Sequence, residues 1–335
     1  MNVLVTGGAG YIGSHTAKAL ARGGHRPIVI DDLSTGHAHN VKWGPLIRAN
    51  ISDTMAVRRV LEEYKIEAVV HFAGSALVGE SAARPLAYFQ NNVGGTLSLL
   101  DAMMEVGVKN IVFSSTCATY GLPDQALITE DQRQKPINPY GDSKLAVERV
   151  IEWMGLARQI RWVALRYFNA AGADPDCELG EEHEHETHII PLAIGAALKQ
   201  RQHLQIFGTD YPTPDGTAIR DYIHVADLAS AHVCALRYLH RGGESQAVNL
   251  GTGSGASVLE VIAMVQSVGG YPVPAVAAPR RIGDPPVLVA SPERARRFLQ
   301  WEPSCSTLET IVETAWRWHC GAQADLQTSA SEIAS

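Results

Sequence analysis

MNVLVTGGAGYIGSHTAKALARGGHRPIVIDD, residues 1–32, is the stretch whose reading decides the fold. Met1 to Thr6 is an apolar, β-branched run of buried-strand length. It breaks on Gly7-Gly8-Ala9-Gly10-Tyr11-Ile12-Gly13, after which His15 to Arg22 reads as a helix. A second apolar strand, Pro27 to Ile30, ends on Asp31-Asp32. Glycines at 7, 10 and 13 between a strand and a helix let the backbone approach a pyrophosphate, and the helix N-terminus offers unpaired N–H groups with a positive dipole end. Asp31, 18 residues past Gly13, is placed to accept hydrogen bonds from an adenosine ribose, and a carboxylate there repels a 2′-phosphate, which selects NAD over NADP. The glycines alone suit any tight turn. Strand, loop, helix, strand and acid in that order read as a nucleotide-binding unit.

Outward from this unit, short apolar strands alternate with helical patterns: Ala68 to Phe72, Asn110 to Ser114 and Trp162 to Tyr167, separated by Thr54 to Tyr64, Ala82 to Val106 and Ser143 to Met154. Such alternation implies an α/β fold with a Rossmann-type doubly wound parallel sheet. The expected organisation is a nucleotide domain over 1–170, a smaller α/β substrate domain over 171–320 and a disordered tail over 321–335. A strand near 246–253 is expected to return to the first sheet, which interleaves the two domains. The net charge of −7 argues against a nucleic-acid surface. No apolar run reaches the ~20 residues of a membrane span, and the first strand leaves no room for a signal peptide. Five scattered cysteines without metal-type spacing fit reduced thiols in a cytoplasmic protein.

Tyr140-Gly-Asp-Ser-Lys144 is the second chemical signal. At i and i+4 on a helix the phenol and the ammonium share one face. A free tyrosine titrates near ~10, and a cation one turn away favours the phenolate that a base requires. Phe113-Ser-Ser-Thr116 ends a parallel strand, where open α/β sheets place their ligands, so Thr116 is positioned to bond a substrate hydroxyl. Ser114 and Ser115 serve equally well for local backbone.

These residues resemble the extended short-chain dehydrogenase/reductase family and, within it, the UDP-glucose (UDP-galactose) 4-epimerases. The segments that carry the likeness run through almost the whole chain: Gly7 to His15, Phe72-Ala-Gly, Asn91-Asn-Val93, Ser114-Ser-Thr116, Pro139 to Lys144, Leu165 to Asn169, Gln205 to Gly208, Tyr211-Pro-Thr-Pro-Asp-Gly-Thr217, Arg220-Asp-Tyr-Ile-His224 and Arg281 to Asp284. The resemblance implies NAD held by the Gly loop with Tyr11 and Ile12, by Asp31, Asp32, Asn50 and Ile51, by Phe72, Ala73 and Gly74, and by Asn92, Tyr140, Lys144 and Phe168. It implies a UDP-sugar between the domains, on Thr116, Asn169, His188, Phe207, Arg220, Tyr222, Arg281, Asp284 and Leu288, with guanidinium forks matched to phosphate oxygens. The implied reaction is reversible epimerisation at C4 through a 4-keto sugar, with Tyr140 as base and Thr116 and Lys144 assisting. A homodimer through helices at 92–106 and 140–154 is also implied.

Departures and rivals sharpen these expectations. Asn50 stands where many members carry an acid, His188 replaces an Asn, and Leu288 replaces a Tyr beside the sugar C2, which leaves room for an N-acetyl group. A 4,6-dehydratase needs an acid pair after the Ser-Thr, and Cys117-Ala118 stand there instead. A 4-epimerase of a UDP-pentose or UDP-uronate is the alternative, and a non-catalytic NAD-binding regulator is the alternative of another class. Glu181-Glu-His-Glu-His-Glu-Thr-His188 lacks the helical His-Glu-x-x-His spacing of zinc hydrolases, so a solvated acidic loop and no metal are expected.

Overall fold

The opening run does form a strand, β1 (Asn2–Thr6), and its alternate residues show why it lies in the middle of a sheet. Val3 and Val5 enter one core and Leu4 the other, all three without exposed surface. The same two-residue alternation splits β2 (Arg26–Asp31), β4 (Ala68–His71), β5 (Asn110–Thr116) and β6 (Arg161–Tyr167), while β3 (Leu46–Arg48) and β7 (Gln246–Leu250) close the edges. Strands buried on both faces are the mark of a parallel sheet. All seven pair in parallel, in the order β7-β6-β5-β4-β1-β2-β3. This computed structural model describes residues 1–281 and 283–333, with side chains described as far as Gly321.

Helices α1 (Tyr11–Arg22) and α5 (Val225–His240) cover one face through Leu20, Leu228 and Leu236. The other face takes α2 (Thr54–Glu63), α3 (Gly95–Val106) and α4 (Pro139–Leu156) through Val57, Leu99, Met103 and Ile151. A separate core lies between helices Ile189–Ala197, Val258–Gly269 and Leu308–Ile333, with Ile194, Val261 and Val312 at its centre. Beside it, short strands Ala256–Ser257, Ile219–Arg220, Val287–Ala290 and Leu127–Ile128 form a four-stranded sheet. Lys18 of α1 ties the two layers: its ammonium lies 2.6 Å from Asp174, 3.1 Å from Asp176 and 2.5 Å from Glu178. The Tyr11 hydroxyl donates to Gly172 O at 2.5 Å beside it.

Two elements differ from expectation. The helix expected over 82–106 is broken into Val78–Ala83, Pro85–Tyr88, a wide turn Phe89–Gly94 and α3. Pro85 starts the second piece at a position where its missing N–H costs nothing. The tail expected to be disordered over 321–335 instead continues the helix Leu308–Ile333, and residues 334–335 lie outside the described residues. Among the described residues no helix is long and apolar enough to cross a membrane.

Candidate active site

The strand order reverses direction at β1, whose neighbours β2 and β4 lead away on opposite sides, so a crevice opens at the C-terminal ends of β1 and β4. The Gly loop forms its floor. Gly7 sits at φ +69°, and a Cβ there would come within 2.6 Å of Ala73 N, while one on Gly13 would come within 2.2 Å of Gly7 O. No side chain larger than hydrogen fits at either. Gly10 caps α1 without a side-chain bond and no acid occupies the first turn, so the helix's N-terminal N–H groups, those of Tyr11 and Ile12 among them, are left for a ligand.

Asp31 accepts from Ala9 N at 2.9 Å and from Leu33 N at 2.9 Å, pinning both sides of the loop with one lone pair left on each oxygen. Burial pushes its carboxyl upward. Asp32 accepts from Ser34 N at 2.9 Å and from the Asn50 amide at 2.7 Å. Burial of Asp32 is outweighed by these bonds, which hold its carboxyl low. An acid at position 50 would repel Asp32, so the departure at Asn50 has a local reason. Ile51 is core, and Phe72 lies against the His232 ring at 4.6 Å. Asn92, carried inward by the wide turn, donates to Ser143 Oγ at 2.9 Å and Ser75 O at 3.0 Å and accepts from Ser75 N at 2.7 Å. Its amide braces the loop after Gly74. A cradle without Cβ atoms, open helix N–H groups and a pinned carboxylate fit a dinucleotide.

On the far wall, Asn138 caps α4 by accepting from Gly141 N at 2.8 Å, which sets Tyr140 in the first turn and Lys144 one turn on. The Lys144 ammonium donates to Ser114 O at 3.0 Å and lies 5.0 Å from the Phe113 ring. Burial lowers its pKa to about 8. The Tyr140 phenol is pushed up, first by burial and then by Tyr167, while a hydrogen bond with Thr116 pulls the other way. The downward pull expected from Lys144 is not among the influences on the phenol. Thr116 ends β5, its Oγ1 accepting from Ala118 N at 3.1 Å. The two serines turn elsewhere: Ser114 bonds the Tyr167 hydroxyl, and Ser115 donates to Glu148, which is locked to Arg166 at 2.6 Å.

The residues expected at the sugar nucleotide fall into one cluster and one outlier. Arg220 pairs with Asp284, and Arg281 stacks 4.1 Å from the Phe207 ring. Asn169 donates to Asp221 O at 3.0 Å, in line with Tyr222, which is buried. Leu288 pairs with Arg220 and packs on Phe168 and Tyr120. His188 is the outlier: its Nδ1 lies 2.7 Å from Glu181 and 2.9 Å from Glu186. The loop expected to be solvated is instead organised around Glu181, which is 6% exposed. Buried carboxylates attract cations, and the string of acids in the sequence hides which one is buried.

Asp221 escaped the sequence reading. It is fully buried and accepts from Thr252 N at 3.0 Å, Thr252 Oγ1 at 2.7 Å and Ala290 N at 3.1 Å, tying the strand of Arg220 to that of Leu288. Its position between Arg220 and Tyr222 was the available signal. Tyr167, raised to about 12 by burial, escaped for want of any local pattern.

Known proteins resemble this arrangement closely. Residues 3–251 match the model of the NAD dependent epimerase/dehydratase family. The UDP-glucose 4-epimerase of Rhizobium meliloti is 52% identical over 318 residues, 95% of this chain and 97% of that protein. The crystal structure of UDP-glucose 4-epimerase from Brucella ovis in complex with NAD superposes with a TM-score of 0.93 at 51% identity, covering 94% of this chain and 97% of that one. A UDP-glucose-4-epimerase of Stenotrophomonas maltophila with bound NAD and formylated UDP-arabinopyranose gives 0.95 at 39% identity, covering 97% and 99%. By sequence and by fold, this chain belongs to the NAD dependent epimerase/dehydratase family, among its UDP-glucose 4-epimerases.

Proposed function

We propose that this protein is an NAD-dependent isomerase that interconverts UDP-glucose and UDP-galactose by inverting C4. The observation that carries the reading is the meeting of Tyr140, Thr116 and Lys144 at the switch-point crevice, Thr116 at the end of β5 and Tyr140 and Lys144 one turn apart on α4. NAD bound along the Gly loop, Asp31 and the 72–74 segment supplies the hydride acceptor and donor. Tyr140 takes the proton of the sugar 4-hydroxyl and Thr116 holds the same oxygen, easing the transfer. Lys144 is largely protonated at neutral pH and contributes the positive charge that burial otherwise denies the phenolate. Arg220 and Arg281 anchor the diphosphate by charge-assisted bonds, which leaves the 4-keto sugar free to turn its other face. Opening the Arg220–Asp284 pair is part of substrate entry.

Leu288 supports a second substrate, UDP-N-acetylglucosamine. Exposed Trp153, Leu156, Leu97 and Met104 on α3 and α4 support a homodimer. Residence in the cytoplasm accords with free cysteines.

The test is NMR of purified protein with UDP-galactose and no added reductant. The reading requires an equilibrium mixture with UDP-glucose and no net NADH, and a Tyr140→Phe variant slowed by at least about 100-fold. Full turnover by that variant would remove Tyr140 as the base, and no conversion of any UDP-sugar by the parent protein would return the chain to the regulator reading. Leu288→Tyr should abolish N-acetylated turnover while sparing UDP-glucose, and a monomer mass by light scattering would remove the dimer.

A further inference from the structure

We propose that Glu181, His183, Glu186 and His188 form a site for one divalent transition-metal ion of the zinc type, independent of the hydride chemistry, against the expectation of no metal. The four donors already converge. His188 Nδ1 lies 2.7 Å from Glu181 Oε1 and 2.9 Å from Glu186 Oε1. His183 Nδ1 lies 3.2 Å from Glu181 Oε1 and 3.5 Å from Glu186 Oε2. One donor atom from each of the four lies within 4.8 Å of the others. A tetrahedral ion with bonds of about 2.1 Å holds its ligands about 3.4 Å apart. The His188 separations of 2.7 and 2.9 Å must therefore open by about 0.5–0.7 Å to admit the ion, while those of His183 already stand near that spacing.

The donor chemistry selects the class of ion. Two imidazole nitrogens suit zinc, cobalt or nickel and are poor partners for magnesium or calcium, which take oxygen. Two carboxylates neutralise a dication. His183 Nδ1 is buried and has no aligned hydrogen-bond partner, although it points into the cluster. Glu181 is 6% exposed, so its charge requires compensation from within the protein. A cleft of about 540 Å³, lined by His37, Glu182, His183, Glu186 and His319, gives the ion a route in.

Without the ion, the two histidines hold the carboxylates as imidazolium groups. The facing Glu181 and Glu186 carboxylates raise His183 to about 9. Burial opposes them at His188, whose bonds to the same two carboxylates nonetheless carry it to about 10. Binding is an exchange: the aquated dication gives up water to the four side-chain donors, any proton on a ligating nitrogen leaves to solvent, and no electron moves. The neighbouring groups are weaker candidates. His37 and His39 around Glu182 are 41% and 62% exposed at the side chain, and Asp174, Asp176 and Glu178 are filled by Lys18.

The experiment is calorimetric titration of chelator-stripped full-length protein with Zn²⁺ and with Co²⁺, in two buffers of different ionisation enthalpy near pH 7. The expected result is one ion per chain, saturable for both metals, and a tetrahedral Co²⁺ absorption band. His183→Ala and Glu186→Gln, shown folded by circular dichroism, should each weaken binding at least about tenfold. His39→Ala should bind as the parent does. Absence of saturable binding, unchanged binding by both His183→Ala and Glu186→Gln, or loss in His39→Ala alone would overturn the assignment.

Discussion

Histidines under the nucleotide sheet and histidines in the 181–188 loop have the same side chain and opposite protonation. His71 is buried between two hydroxyls, bonded to Thr6 Oγ1 at 2.7 Å and Thr96 Oγ1 at 2.8 Å. Thr96 gives its proton to Asn92 O, so His71 Nε2 donates to Thr96 and Nδ1 accepts from Thr6. His224 likewise accepts from Ala226 N at 3.0 Å, and His15 and His232 use Nδ1 on backbone carbonyls at 2.7 and 2.8 Å. Burial lowers these four to about 4, 3, 4 and 4 in the order His15, His71, His224, His232. In the loop, carboxylates face His183 and His188 and keep both charged. Burial strips the proton where no carboxylate bonds the ring directly, even with Asp174 near His15 and Asp227 near His224.

The largest effect that sharpens this contrast is acid unfolding. The four sheet histidines have folded pKa values below the unfolded 6.5, so their stability is present above pH 6.5 and is lost as pH falls through 6.5 toward 4. Each costs about 1.4 kcal/mol per pH unit in that window, and denaturant titrations at successive pH values should show the summed slope. A flat profile would break the comparison. Next comes the buried Glu148–Arg166 pair, where a charge does answer a charge inside the sheet layer. Glu148→Ala strands Arg166 and should cost about 3–5 kcal/mol by the same titration. A third test crosses the two regions. In metal-free protein, Glu181→Gln should lower the His188 imidazole pKa, read by NMR, by about one to three units. The smallest effect lies in alkali. The raised pKa values of His183 and His188 give stability that is fully present below pH 6.5 and lost as pH rises through about 9 to 10. Both side chains are partly exposed, at 30% and 48%, so the loss should stay below about 1 kcal/mol in a thermal melt without metal.

How legible the molecule is in its sequence depends on how local each feature is. The strands, the Gly loop and the Tyr140–Lys144 spacing are set by neighbours within a few residues, and the structure holds them where periodicity and glycine chemistry imply. Start and end points drift: α4 begins at Pro139, ahead of the apolar pattern at Ser143, because Asn138 supplies a cap. Asp221 and Tyr167 act through partners far along the chain, Thr252 and Ser114, and no local pattern announces them. The 181–188 loop misled for the same reason. Its composition is that of a solvated segment, and only the helix at Ile189–Ala197 and the cleft beside it reveal that Glu181 turns inward.

Strand β7 arrives from residues 246–250 to pair with β6, about 80 positions after β6 leaves the ribosome. Until then β6, with Val163, Ala164 and Leu165 wholly buried in the finished protein, presents an unpaired apolar edge. A nascent or truncated chain ending near residue 200 holds every residue of the dinucleotide crevice and Tyr140 as well, yet its sheet is open to any strand of matching hand. Synthesis therefore passes through an interval in which another copy of the same chain competes with its own distant segment, and pausing in that interval favours aggregation over folding.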